Sequence, residues 1–172
     1  YTSQPNLKVL EIGIQDGGSQ RILKRYFPNS ATIMGIDVDE RCLNLNTGTL
    51  LRLGSSRDKM FLQSVVREMG GVDVVIDDGS HRSSDQKMAF ESLFPLLSND
   101  GIYIVEDLTN QTFQQFQNYS QQLKESLGAS SVFFAALFLG ARGAAGATGS
   151  TNSCCTRSGA CWPASQSLPP CL

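Results

Sequence analysis

The chain has 172 residues, 41% of them hydrophobic and 17% charged, with a formal net charge of −2. That length suits one α/β-sized domain better than two, and the charge balance excludes both a basic nucleic-acid binder and a highly charged disordered chain. The longest apolar run, Val132 to Leu139, is well short of the roughly 18 residues a membrane span needs, so neither a nucleic acid nor a membrane is expected as a partner.

From Leu7 to Leu127 short apolar runs alternate with amphipathic stretches, the rhythm of βα units that feed a parallel sheet. Lys8–Ile14 reads as the first strand and Ser19–Phe27 as the helix that follows. Thr32–Asp37 is the second strand, Glu40–Leu45 a short helix, Leu50–Leu53 the third strand and Asp58–Met69 the next crossover helix. Val72–Asp77 and Gly101–Glu106 are strands four and five, with a helix over Ser84–Leu97 between them. Pro28-Asn29, Gly70-Gly71 and Asn99-Asp100-Gly101 supply the turns. Gln111–Leu127 carries Phe113, Phe116, Tyr119, Leu123 and Leu127 along one stripe and is expected to cover an open side of the sheet. The expected class is α/β, doubly wound and mainly parallel.

The composition breaks after residue 128. All sixteen acidic residues lie between Glu11 and Glu125, whereas residues 129–172 carry only Arg142 and Arg157 and are dominated by Gly, Ala and Ser. Such a segment buries too little apolar surface to offset its ordering entropy, so 129–172 is expected to be a disordered low-complexity tail. Four cysteines, Cys154, Cys155, Cys161 and Cys171, fall in it, but without paired CxxC spacing, and the one histidine is His81, so neither zinc nor a disulfide framework is expected. The chain opens at Tyr1, which reads as a fragment or processed product, and leaves compartment and oligomeric state open, a homo-oligomer included.

In an open parallel sheet the loops at the carboxyl ends of the strands form the ligand crevice. Five such loops hold the informative residues: Gly13 to Gly18, Asp37 with Asp39, Gly54 to Asp58, Asp77 to His81, and Glu106-Asp107. Glu11-Ile12-Gly13-Ile14-Gln15-Asp16-Gly17 is a strand entering a glycine turn. A βα turn with no ligand could use the same glycines, and Gln15 stands where a dinucleotide fingerprint has its second glycine, which disfavours NAD. Asp37 can accept hydrogen bonds from a ribose diol, while Asp39 suits the cap of the helix that follows. The acidic residue followed by x-Gly-x-x-x-Gly, here Glu11, Gly13 and Gly17, resembles the first motif of the class I S-adenosylmethionine-dependent methyltransferases. The resemblance implies a Rossmann-like methyltransferase sheet, a cofactor held along the glycine turn, and Asp37 on its ribose.

Strands four and five end in Asp77-Asp78-Gly79-Ser80-His81 and Glu106-Asp107. If the strands are neighbours, up to four carboxylates converge, and a hard divalent cation relieves their repulsion; oxygen donors favour Mg²⁺. Turn chemistry and a solvated helix start would explain either segment alone. Val-Ile-Asp-Asp-Gly-Ser-His, then Leu-Phe-Pro-Leu-Leu, then Gly-Ile-Tyr-Ile-Val-Glu-Asp-Leu, resembles the metal-dependent sugar O-methyltransferases of the macrocin and mycinamicin type over about residues 7–110. That resemblance implies Asp78, Glu106 and Asp107 as Mg²⁺ ligands, His81 as catalytic base, and a sugar or glycoside hydroxyl as acceptor, with Asp77 behind the ligands.

The sequence departs from the group at two places. Ser55 occupies the position after the third strand where an acidic residue usually reaches the adenine side of the cofactor. Past Leu127 the last two strands of the family sheet are expected to be missing, as from a truncated gene product or intron read-through. The expectation is therefore a Mg²⁺-dependent O-methyltransferase using S-adenosylmethionine; the alternative is a truncated, inactive domain that binds a nucleoside or metal.

Overall fold

The computed structural model describes residues 4–27, 30–108, 112–119 and 155–156. Five parallel strands, β1 (Lys8–Ile12), β2 (Thr32–Asp37), β3 (Leu50–Leu53), β4 (Val72–Asp77) and β5 (Leu97–Val105), lie in the order β3-β2-β1-β4-β5. The order reverses between β1 and β4, and the crevice of a doubly wound sheet opens at that point.

Burial alternates along the central strands and assigns each face its helices. Leu10, Ile12, Met34, Ile36 and Val75 belong to one core cluster, while Val9, Ile33 and Val74 belong to a second on the opposite face. The first cluster is closed by α2 (Lys59–Met69) through Leu62, Val65, Val66 and Met69, and by α3 (Ser83–Leu93) through Ala89, Phe90 and Leu93. The second packs against Leu23 of α1 (Gly18–Tyr26) and against Phe27. A 3-10 turn, Glu40–Asn44, joins β2 to β3, and the Asp39 carboxylate accepts from the Arg41 backbone N–H at 2.9 Å as its N-cap. Asp58 caps α2 by accepting from Phe61 N–H at 3.0 Å, and Gly70, with φ of 72°, ends that helix.

Strands one to four match the sequence reading closely, although β1 ends at Ile12 and not at Ile14. The stretch between α3 and β5 differs. Pro95 cannot donate to the carbonyl four residues back, so α3 stops at Leu93 and a 3-10 turn, Phe94–Leu96, takes over. β5 then begins at Leu97 and runs through Asn99-Asp100-Gly101, the expected turn, with a register shift against Val72 and Val74. A Cβ on Gly101 would stand 2.8 Å from the Asp73 carbonyl, so this irregular pairing needs glycine there.

Residues 112–119 are helical and form α4. Phe116 is buried against Phe90 of α3, the ring centroids 6.2 Å apart, in the core cluster that also holds Tyr103 and Val105 of β5. Burying one such ring contributes about 1.5–3 kcal/mol. The rest of the expected helix, to Leu127, and most of the tail lie outside the described residues. Within the tail, Cys155–Thr156 forms a two-residue strand, β6, antiparallel to β5 at Tyr103 and Ile102, which its composition does not announce.

Candidate active site

The strand ends are nearly level, because Ile12 pairs with Asp77, Asp77 with Val105, and Asp37 with Leu53. Backbone hydrogen bonds carry the pairing one residue further: Asp78 N–H donates to the Ile12 carbonyl, Glu106 N–H to Asp77, and Gly54 N–H to Asp37. The expected site residues therefore share one rim.

The glycine turn is shaped first by its own packing. Gly13 has φ of 87°, and a Cβ on it would collide with the backbone carbonyl of Asp78, so glycine at this position lets the ends of β1 and β4 close on each other. Gly17, with φ of 71°, leaves room for Thr47, whose methyl would be 2.6 Å from an added Cβ. A Cβ on Gly18 would meet nothing within 4 Å, so the start of α1 faces open space. Glu11 is fully buried beneath the turn. Its carboxylate accepts from Gln20 Nε2 at 2.5 Å, and Gln20 Oε1 accepts from the Thr49 hydroxyl at 2.6 Å. Burial raises the Glu11 pKa, with Ser19 and Gln20 opposing it. Glu11 thus braces the turn from below.

Asp37 holds the same turn from the side. Its Oδ2 accepts from Ile14 N–H at 2.8 Å and Gln15 N–H at 3.2 Å, and its Oδ1 from Asp39 N–H at 2.9 Å. Partial burial works to raise its pKa, but the N–H donors of Ile14, Asp39, Gln15 and Val38 outweigh it and keep the carboxyl below its ordinary range. Gln15, at φ of 45°, is one of four non-glycine residues at positive φ among the described residues. Ser55 lies on the next loop, where its Oγ accepts from Arg57 N–H at 3.2 Å and its carbonyl from Asp58 N–H at 3.0 Å.

At the ends of β4 and β5 one donor atom from each of Asp78, His81 and Asp107 lies within 4.8 Å of the others. His81 Nε2 is 3.1 Å from Asp78 Oδ1 and 3.8 Å from Asp107 Oδ2. Both His81 and Asp107 have positive φ, 56° and 52°. The left-handed region costs a side-chain-bearing residue about 1–2 kcal/mol, so the surroundings must hold both. Glu106, expected as a third carboxylate ligand, stands outside this group of three. Burial raises its pKa first, and the charges of Asp78, Asp107 and Glu11 raise it further. Asp77 is buried behind the rim, accepting from Tyr103 Oη at 3.3 Å and Gly79 N–H at 3.4 Å, and burial pushes its pKa up to about 6.

Two carboxylates beside an imidazole, with the half-buried Glu106 carboxyl near them, offer a set of oxygen donors suited to a hard divalent ion. An ionised Asp37 beside a glycine turn suits a nucleoside hydroxyl. A groove of about 280 Å³ between α3 and α4 is lined by Ser83, Lys87, Gln115, Phe116, Asn118 and Tyr119, and none of the rim residues lines it.

No protein-family model matches the chain. Two curated proteins of Streptomyces olivaceus are similar to it. The 8-demethyl-8-(2-methoxy-alpha-L-rhamnosyl)-tetracenomycin-C 3'-O-methyltransferase is 40% identical over 110 residues, 59% of this chain and 28% of its own length. The 8-demethyl-8-alpha-L-rhamnosyl tetracenomycin-C 2'-O-methyltransferase is 34% identical over 128 residues, 70% of this chain and 34% of its own. Over the matched residues the chain is a homologue of these O-methyltransferases. It spans about a third of the length of the curated relatives it matches. Among solved structures, MycE methyltransferase from the mycinamycin biosynthetic pathway, in complex with Mg, SAH and mycinamycin VI, superposes with a TM-score of 0.57 at 34% identity, over 62% of this chain and 31% of that one. The sheet of this homologue is the Rossmann-like methyltransferase sheet that its sequence resembles.

Sequence reasoning missed four supporting residues: Gln20, Thr49, Asp85 and Gln86. Gln20 and Gln86 had a signal, since each stands on the apolar stripe of its helix, Gln20 with Leu23 and Phe27, Gln86 with Ala89, Phe90 and Leu93. A polar residue on such a stripe is buried and must find a partner.

Proposed function

We propose that this chain forms the cofactor-binding and catalytic part of a Mg²⁺-dependent O-methyltransferase that moves a methyl group from S-adenosylmethionine to a sugar hydroxyl of a glycosylated small molecule. The observation that carries the reading is the convergence of Asp78, His81 and Asp107 on one rim with the glycine turn and Asp37. Methyl transfer from a sulfonium is an in-line displacement, so the protein must align the hydroxyl and accept its proton. Asp37 binds the ribose, and the turn from Gly13 to Gly17 carries the methionine part. Asp78 and Asp107 hold the metal, with Glu106 as the third carboxylate and Ser55 at the adenine side. A bound Mg²⁺ supplies chelation of vicinal hydroxyls and a lowered hydroxyl pKa. His81, three residues after Asp78, accepts the proton.

The test pairs calorimetric titration of S-adenosylhomocysteine and NAD with a labelled-methyl assay on glycosides, with and without Mg²⁺. Tighter binding of S-adenosylhomocysteine and Mg²⁺-dependent transfer are expected. Binding of NAD as tight or tighter overturns the cofactor; tight S-adenosylhomocysteine binding without transfer leaves the binding-only reading in its place.

A further inference from the structure

The first turn of α3 reaches both arms of the triad. Asp85 accepts from the Ser80 hydroxyl at 2.9 Å and the Ser84 hydroxyl at 3.0 Å, with Arg57 Nε 3.5 Å away, and so fixes the loop that carries His81. The next residue, Gln86, is 1% exposed, and its Nε2 donates to the Glu106 carbonyl at 3.1 Å. The N–H of Glu106 donates to Asp77 on the other side. The carbonyl that Gln86 holds belongs to the peptide plane entering Asp107, and φ of Asp107 is measured against that plane. One residue later Leu108 is anchored in the core.

We propose that Gln86 is a positioning residue for the metal site: its side-chain amide clamps the Glu106–Asp107 peptide and so keeps Asp107 at positive φ, with its carboxylate toward His81. This rests on the proposed reading of Asp78, Glu106 and Asp107 as the carboxylates of a divalent-ion site, with His81 beside them as the base. The other end of the same amide supports the assignment. Gln86 Oε1 is buried with no hydrogen-bond partner among the described residues. An unpaired buried acceptor is destabilising, and an apolar side chain of the same length would avoid it. What glutamine supplies here is the donor, and the donor serves the Glu106 carbonyl.

The two roles a buried glutamine could have separate cleanly in Gln86→Met. The variant removes the donor together with the orphaned acceptor, so a metal-free denaturation midpoint close to that of the parent is expected. Mn²⁺ affinity, followed by paramagnetic resonance on the full chain, should weaken about 10–100-fold, the usual effect of losing a partner behind a metal ligand. Amide exchange across residues 106–108 should quicken in the metal-free protein. Gln86→Leu, which also lacks a donor, should move both readouts the same way and serves if the Met variant does not fold. A Met or Leu variant with parental Mn²⁺ affinity and parental exchange overturns the proposal, and so does a variant that loses stability while its folded fraction binds Mn²⁺ as the parent does. Should the parent itself bind no Mn²⁺, the metal reading fails, and the exchange of 106–108 alone decides whether Gln86 is a clamp.

Discussion

Asp77 offers the sharpest test of the electrostatics. It is 2% exposed, and both of its hydrogen bonds, from Tyr103 Oη at 3.3 Å and Gly79 N–H at 3.4 Å, are long. Burial drives its pKa from 3.8 to about 6, although Gly79, Tyr103 and the charge of His81 pull the other way. A rise of that size places about 3 kcal/mol against the ionised carboxylate in the folded protein. Since the folded pKa lies above the unfolded one, the folded state keeps a proton that the unfolded chain has already released. Stability from this group therefore falls as pH rises from about 4 to about 6, and the full cost stands at pH 7. Asp77→Asn keeps the shape: its Oδ1 can accept from Gly79, and its Nδ2 can donate to the Tyr103 oxygen. Urea unfolding with a chelator present should show the variant more stable than the parent by about 1–3 kcal/mol at pH 7.5, and by about 0.5 kcal/mol or less at pH 4. A variant that is less stable at pH 7.5, or a difference that does not change with pH, would refute the reasoning.

Asp37→Ala removes the acceptor that holds Ile14 and Gln15 as well as a ribose partner. S-adenosylhomocysteine affinity should fall by about 1–3 kcal/mol in calorimetry, and because the carboxyl pKa is lowered, the stability it contributes is present at neutral pH and lost in acid. Asp78→Asn and Asp107→Asn should each weaken Mg²⁺ binding, and excess Mg²⁺ should restore part of any turnover; parental affinity in either would remove that residue from the ligand set. His81→Ala should lose about 10²–10⁴-fold in turnover while retaining metal and cofactor binding, and added Mg²⁺ should not rescue it. Gly13→Ala should fail to fold or show a markedly lower melting temperature, since its Cβ meets the Asp78 carbonyl at a φ closed to alanine; a parental melting temperature would contradict that contact.

The fold was legible because its signals are local and repeated. Val72–Asp77 and Thr32–Asp37 are apolar runs of strand length with turn chemistry after them, and buried parallel strands carry that pattern. The miss between Leu93 and Gly101 has an equally local cause. Leu93, Phe94 and Leu97 continue the helical spacing, and Asn99-Asp100-Gly101 has turn composition. The backbone follows Pro95 out of the helix, and pairing with β4 then draws the polar residues into β5. β6 had no signal at all, because a two-residue pairing depends on where the neighbouring strand's edge lies and not on the composition of the tail.

The site divides along the same line. The candidate residues Asp78, His81, Glu106 and Asp107 stand out in the sequence, since carboxylates and a lone imidazole at strand ends are unusual whatever surrounds them. How they are aimed could not be read. His81, Asp107 and Gln15 all take positive φ, and although Asp and His enter that region more often than most residues, their types do not single out these positions. A strained backbone persists only where its neighbours over-determine it. Those neighbours are Asp37, holding Gln15 by its N–H, and Asp85, holding Ser80 before His81. Gln86 holds the peptide before Asp107 in the same way. Each is remote in sequence from the residue whose geometry it fixes or lies on a helix turn that reads as ordinary packing. Loss of metal affinity without loss of stability is accordingly the outcome that would mark such residues as part of the site.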